Sequence, residues 1–406
     1  MSETTVGTSK ASPQGAAEIF TVMLRLGLTS FGGPVAHLGY FREELVVRRR
    51  WTTEARYAEL VALCQFLPGP ASSQVGLALG ALRGGARGAL AAWAGFTLPS
   101  AFALMLFAAG LGLAGSAEGA GWLLGLKAAA VAVVAQACLG MGRSLAPDAP
   151  RQTLAASAAA MTLLGPGAWG QLAAIALGAV AGMTLLRGLA PVPAAEDDEA
   201  LPVPVSRAAG AACLALFAAL LVVLPLISSL SPLLAYADGF YRAGALVFGG
   251  GHVVLPLLEA ETVGRGWVDA DDFIAGYGAA QAVPGPLFTF AAYLGQAAGG
   301  IPAAIVSLLA VFLPGALLVF GALPFWSALR ARPLARAALA GVNAAVVGVL
   351  LAALYDPVFL KGAAQPAGFV IALAAYLALT AWGRSPLQVV LGAALLGVLA
   401  HAAGVA

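Results

Sequence analysis

Arg25 and Arg242 are the residues of this chain best suited to chemistry with a charged ligand. Each sits in an apolar segment a few residues before a Phe-Gly-Gly break. A guanidinium at membrane depth costs at least ~2.5 kcal/mol on insertion scales, so it needs a partner. That partner is either a dianionic oxyanion gripped by the planar fork or a buried carboxylate. Lys127 and Asn343 occupy matching places in two apolar stretches, and Gln65 and Gln281 each precede a Pro-Gly-Pro. Gly32, Gly33, Gly69, Gly249, Gly250 and Gly285 lie at the breaks, where missing side chains let a ligand approach the backbone. Ser72 and Ser73 follow the first Pro-Gly-Pro and can cap a new helix start. Four further groups could carry a proton: Glu44, Glu261, His37 and His252. Together these residues point to capture and release of a small anion.

Nothing in the pattern points to bond-making chemistry. There is no HExxH pair, GxSxG elbow or Walker lysine loop, and Cys64, Cys138 and Cys213 stand in apolar segments at unrelated spacings. No enzyme activity, metal site, disulfide framework or cofactor is expected. The net charge of +2 is too small to suggest a nucleic-acid partner.

The elements that must position these residues are membrane helices. The chain is 61% hydrophobic and 10% charged over 406 residues, well short of the quarter charged in an ordinary soluble domain. Runs at 89–113, 121–142, 168–186, 208–227, 302–325, 337–354, 366–382 and 387–406 are each long enough to cross a hydrocarbon core of about 30 Å. This predicts an all-α polytopic membrane protein.

The motifs recur in one order. Arg25, Phe31-Gly32-Gly33, Glu44, Trp51, Gln65 and Pro68-Gly69-Pro70 match Arg242, Phe248-Gly249-Gly250, Glu261, Trp267, Gln281 and Pro284-Gly285-Pro286. Leu98-Pro99 matches Leu313-Pro314, and Gln171 matches Gln388. The organisation expected is a polar tail (1–15), a first repeat (16–188), a linker with one extra membrane helix (189–232) and a second repeat (233–406). Basic charge changes sides between equivalent loops. Segment 42–56 carries five arginines, whereas its partner 259–272 carries one arginine and five acidic residues. By the positive-inside rule the repeats are expected to be inverted.

Each repeat is expected to hold two broken or re-entrant hairpins, tipped by Phe-Gly-Gly and Pro-Gly-Pro, and about four crossings. The N-terminus would then be cytoplasmic and the C-terminus periplasmic; the alternative is thirteen full crossings. Irregular backbone at membrane depth survives only where protein buries it or it lines a polar cavity, and paired interruptions in inverted halves mark secondary transporters. Helix ends at such breaks favour anions.

The ordered, doubled Phe-Gly-Gly and Pro-Gly-Pro set resembles the chromate ion transporter family in its long, two-domain form, over nearly the whole chain outside 1–15 and 187–230. The resemblance implies a bacterial inner-membrane carrier of chromate or a related tetrahedral oxyanion such as sulfate. Efflux coupled to the proton-motive force is the expected mode; anion uptake and passive conduction are the alternatives. The partners implied are the oxyanion and the lipid bilayer, and a homodimer is admitted without being required. The sequence departs from its own repeat where Phe-Gly-Gly-Pro becomes Phe-Gly-Gly-Gly, and His37 and His252 are not at equivalent positions.

Overall fold

A computed structural model describes residues 15–31, 33–113, 121–165, 167–188, 205–248, 251–330 and 332–405, and the regular elements among them are helical. The first half holds α1 (Ala16–Thr29), α2 (Gly33–Phe41), α3 (Glu54–Phe66), α4 (Ala71–Leu113), α5 (Gly121–Leu145), α6 (Ala149–Leu164) and α7 (Gly167–Leu185). After α8 (Arg207–Ile227) come α9 (Pro232–Ala245), α10 (Val254–Thr262), α11 (Ala270–Ala282), α12 (Phe290–Ala322) and a short α13 (Trp326–Arg330). The chain closes with α14 (Pro333–Ala353), α15 (Leu360–Gly362), α16 (Pro366–Thr380) and α17 (Pro386–Ala402). Five helical stretches among the described residues are long and apolar enough to span a membrane. The chain is a multi-pass membrane protein.

Two of those stretches are not single rods. α4 leaves helical geometry at Gly84 and Gly85, and α12 does so at Gly299 and Gly300. Gly85 and Gly300 have φ of +60° and +72°, a conformation that glycine adopts without steric cost. The limbs fold back on each other there. A Cβ on Gly80 would sit 2.7 Å from the Ala92 methyl, and one on Gly295 would sit 2.6 Å from the Ala303 carbonyl. Gly80 and Gly295 thus let the limbs pack closely, while Gly84-Gly85 and Gly299-Gly300 make the turn itself.

Aromatic and charged contacts gather the ends of these segments. In the first half Arg49 reaches Glu18 at the start of α1 (3.9 Å), and the Arg83 guanidinium lies 5.8 Å from the centre of the Trp51 ring. In the second half Tyr236 at the start of α9 packs edge-on against Trp267 (4.7 Å) and donates to the Ala298 carbonyl (3.2 Å). The far end of α4 meets the second cluster, through Phe107 on Tyr293 at 6.0 Å. The far end of α12 leads to the first, where Trp326 Nε1 donates to Glu59 at 2.6 Å.

The halves interlock. α5 packs on α16 and α17, α14 packs on α6 and α7, and α4 packs on α12. Small residues allow this: Gly121 and Gly125 face Gly397 and Ala393, and Gly178 and Gly182 face Gly341, with backbones so close that an added methyl would overlap a carbonyl oxygen. Without a hydrophobic drive between helices in lipid, such close approach is what holds them together. By contrast α8 buries only Gly210 and is apolar all round, as suits a peripheral helix facing lipid. At the α5–α6 turn Asp148 accepts from the Arg151 backbone N–H (3.0 Å) and guanidinium (2.9 Å), which holds its carboxyl below the usual range.

Candidate functional site

α1 stops at Ser30 because Gly33, with φ +76°, sends the chain off in a new direction as α2 begins. α3 stops at Leu67 and α11 at Val283, each before a Pro-Gly-Pro whose glycine has φ of +119° (Gly69) or +104° (Gly285). Broken helices leave amides and carbonyls without intrahelical partners. Here the two halves supply them to each other. The Gly69 N–H donates to the Val247 carbonyl (2.7 Å), and the Gly285 N–H donates to the Ser30 carbonyl (3.0 Å). Val247 and Ser30 both directly precede a Phe-Gly-Gly, so each Pro-Gly-Pro docks on the other half's Phe-Gly-Gly.

A cavity of about 60 Å³ lies at one of these meetings, lined by Gly33, Val133, Gln136, His252, Ala280, Gln281, Val283, Gly285, Leu287 and Pro386. Four of the candidate residues are thus brought together: Gly33, His252, Gln281 and Gly285. A Cβ on Gly33 would lie 3.8 Å from His252 Nε2, so that nitrogen faces the first break. His252 Nδ1 is 2.8 Å from the Tyr277 hydroxyl. Gln281 Nε2 is buried without a well-formed hydrogen bond among the described residues, and the Tyr277 hydroxyl is its polar neighbour. Gln136, on the rim, is exposed. The cavity therefore offers neutral donors, the start of α2 at Gly33, the three-residue 3₁₀ turn that opens at Leu287 ahead of α12, and no cationic side chain among its lining residues.

The remaining candidates stand elsewhere. Arg242 belongs to a quartet in which it pairs with Asp238 and with Glu261 (3.0 Å), while Arg265 pairs with the same two acids at 3.1 and 2.7 Å. Asp238 and Glu261 are buried, and the quartet borders a second cavity of about 160 Å³ with Gln171 and Trp169. Arg25 is exposed on α1 and has no carboxylate partner among the described residues. Glu44 pairs with Arg49 (2.7 Å) and Arg48 (3.7 Å). Lys127 pairs with Asp271 at 3.1 Å. Gln65 is exposed, and the Asn343 Oδ1 is buried without a partner among the described residues. His37 is buried beside Ser72 Oγ (3.4 Å). Gly32, Gly249 and Gly250 lie outside the described residues.

The expected serine cap does not form. Ser72 is engaged by His37, and the buried Ser73 hydroxyl meets no partner among the described residues. Both already sit inside the first turn of α4, past the capping position. Gln74 answers part of the broken backbone instead, with Nε2 donating to the Pro68 carbonyl (2.9 Å) and, across the halves, to the Gly315 carbonyl (3.1 Å).

The family model described as chromate transporter matches the chain twice, over residues 17–183 and 234–398. The chain belongs to the chromate transporter family. Among its curated relatives is a chromate transport protein of Pseudomonas aeruginosa, 33% identical over 353 residues, covering 85% of this chain and 81% of the relative. A chromate transport protein of Cupriavidus metallidurans is 28% identical over 397 residues, covering 95% and 93%. A probable chromate transport protein of Synechococcus elongatus is 28% identical over 347 residues, covering 81% of each. No solved structure matches.

Three residues of this family member escaped the sequence reading. Tyr277 stands one helical turn before Gln281 and so shares its face of α11, a spacing that could have been noticed. Asp238 precedes Arg242 by four residues, the spacing of a helical ion pair. The exposed Gln136 carries no such signal.

Proposed function

We propose that this chain is a secondary transporter of chromate, or of a tetrahedral oxyanion of the same shape such as sulfate, across the bacterial inner membrane. The observation that carries this reading is the cavity of about 60 Å³ where Gly33, His252, Gln281 and Gly285 converge. A water needs roughly 10–15 Å³ of such space, so the cavity suits about four to six oxygen-sized groups. A tetrahedral oxyanion presents four. In this reading the Tyr277 hydroxyl, 2.8 Å from His252 Nδ1, donates to it, and the imidazole proton then sits on Nε2, facing Gly33 and the anion. Gln281 adds an amide donor, and the start of α2 at Gly33 and the 3₁₀ turn at Leu287 leading into α12 add backbone N–H groups. Dipoles and neutral donors hold a dianion firmly enough to select it and loosely enough to let it go.

The transport cycle is alternating access between inverted halves, exporting the anion at the expense of the proton-motive force. Supporting the hairpins, Arg49 meets Glu18 and Arg83 meets Trp51, so each first-half segment starts and ends at one membrane face. Supporting the inversion, α4 runs from that face towards the Tyr236 cluster and α12 runs the opposite way. The arginine-rich face is cytoplasmic, with the N-terminus inside and the C-terminus outside. His252 in the cavity, and Glu261 in its quartet, are the places for a coupled proton.

Reconstitution in liposomes tests the reading. Chromate flux should follow an imposed pH gradient and fall sharply in His252→Ala. Flux indifferent to the gradient would leave passive conduction, and inertness to both chromate and sulfate would remove the substrate assignment. Glu54→Cys and Asp269→Cys, made after replacing the three native cysteines, should label from opposite sides. Labelling from the same side would end the inverted topology.

A further inference from the structure

We propose that the groove between α16 and α17 is a binding site for one anionic phospholipid. The groove measures about 460 Å³ and changes character along its length. Its deep part is lined by small or apolar residues, including Ala378, Gly392 and Leu396, while Trp382, Arg384 and Gln388 line its mouth. Arg384 is exposed and pairs with no carboxylate among the described residues. Trp382 is 68% exposed, an indole placed where membrane proteins put their headgroup-level anchors.

Length fixes the kind of ligand. From the Ser385 cap to Leu396 the helix rises about 16 Å, close to half of a hydrocarbon core of about 30 Å. The groove thus spans one leaflet, with its charge at the headgroup level and its apolar part at acyl depth. Gln388 Oε1 accepts from the Ser385 N–H in a capping box, which leaves its amide hydrogens for a phosphate oxygen beside the Arg384 guanidinium. The adjoining groove of about 360 Å³, on the other side of α16, is apolar throughout and offers a headgroup no such purchase. The equivalent turn between α6 and α7 carries no basic residue, so the site belongs to the second half alone.

The glycine in the groove supplies a clean test. A Cβ on Gly392 meets nothing within 4 Å, so Gly392→Leu fills the groove without crowding the fold. The purified full chain would be titrated with short-chain phosphatidylglycerol, phosphatidylcholine or free glycerol phosphate, and followed by native mass spectrometry and thermal unfolding. Phosphatidylglycerol should bind and raise the melting temperature. Arg384→Gln should weaken it about fivefold, the worth of one basic residue near a membrane surface, and erase its advantage over phosphatidylcholine. Gly392→Leu should abolish binding of both lipids. Equal binding of phosphatidylglycerol by wild type and Arg384→Gln would overturn the proposal. So would a full response to glycerol phosphate alone, which would mark a free-phosphate site. A Gly392→Leu chain that keeps its lipid but changes oligomeric state would make the groove a subunit interface instead.

Discussion

Replacing Gln281 by Leu should move stability and transport in opposite directions. Gln281 Nε2 is buried without a well-formed hydrogen bond among the described residues, beside the Tyr277 hydroxyl. A buried, unanswered donor costs about 1–3 kcal/mol, and Leu of similar length removes it. The empty variant should therefore melt at the wild-type temperature or above. The anion, however, loses a hydrogen bond to a charged acceptor, worth about 1.5–3 kcal/mol. That corresponds to roughly a 10- to 150-fold rise in the KM for chromate. The assay is proteoliposome influx over a range of chromate concentrations, beside unfolding of the same preparation with and without chromate. Wild type should gain stability from chromate and the variant should gain little. An unchanged KM would refute the reasoning, because it would mean that the amide never meets the substrate. A large loss of stability in the empty state would refute it equally, since Gln281 would then be a satisfied structural residue.

Tyr277→Phe frees the His252 tautomer, and a KM about fivefold higher is expected with folding intact, the worth of about 1 kcal/mol; an unaltered KM would leave Tyr277 a packing residue. Arg242→Ala leaves buried Asp238 and Glu261 with Arg265 alone, and should cost about 3–5 kcal/mol; Arg25→Ala, on an exposed face, should stay within about 0.5 kcal/mol. Thermal unfolding of the two side by side checks this, and equal losses would contradict the asymmetry. Gly341→Leu forces a side chain into the Gly178 carbonyl and should cost at least 1–3 kcal/mol, whereas Gly110→Leu, with open space around it, should be silent. Asp148 has a lowered pKa when folded, so its cap is fully present above the usual carboxylate range and is lost as pH falls through the lowered value. Asp148→Ala should remove that acid-side loss from a melting-temperature profile.

The breaks were legible because they leave a compositional trace: Pro and Gly in a membrane-grade sequence have few explanations. Of the cavity residues, Gly33, Gln281 and Gly285 were read from that trace, and His252 from its titratable side chain. The two arginines, equivalent in the repeat, differ in their surroundings. Equivalence of Arg25 and Arg242 suggested a shared role, yet one neighbour decides: Arg242 has Asp238 a turn before it, and Arg25 has Thr21 at the same offset. The partner of Lys127 was not legible, because Asp271 lies far along the chain and only folding joins them. The turn at Gly84-Gly85 was not legible, since nothing local separates a glycine that admits a neighbour from one that reverses a helix. The exchange of hydrogen bonds between breaks, Gly69 to Val247 and Gly285 to Ser30, was not legible either. Repeats declare likeness, not mutual contact.

That exchange has a consequence for how the protein is made. The Gly69 amide leaves the ribosome about 180 residues ahead of Val247, its acceptor. At roughly 5–20 residues per second the first half therefore waits about 10 to 35 seconds with its break unanswered. An unsatisfied amide in hydrocarbon costs several kcal/mol, so the newborn half must keep its hairpins near water, or against the insertion machinery, until the second half arrives. Severed halves synthesised apart should each be cleared by quality-control proteases, and synthesised together they should rescue one another.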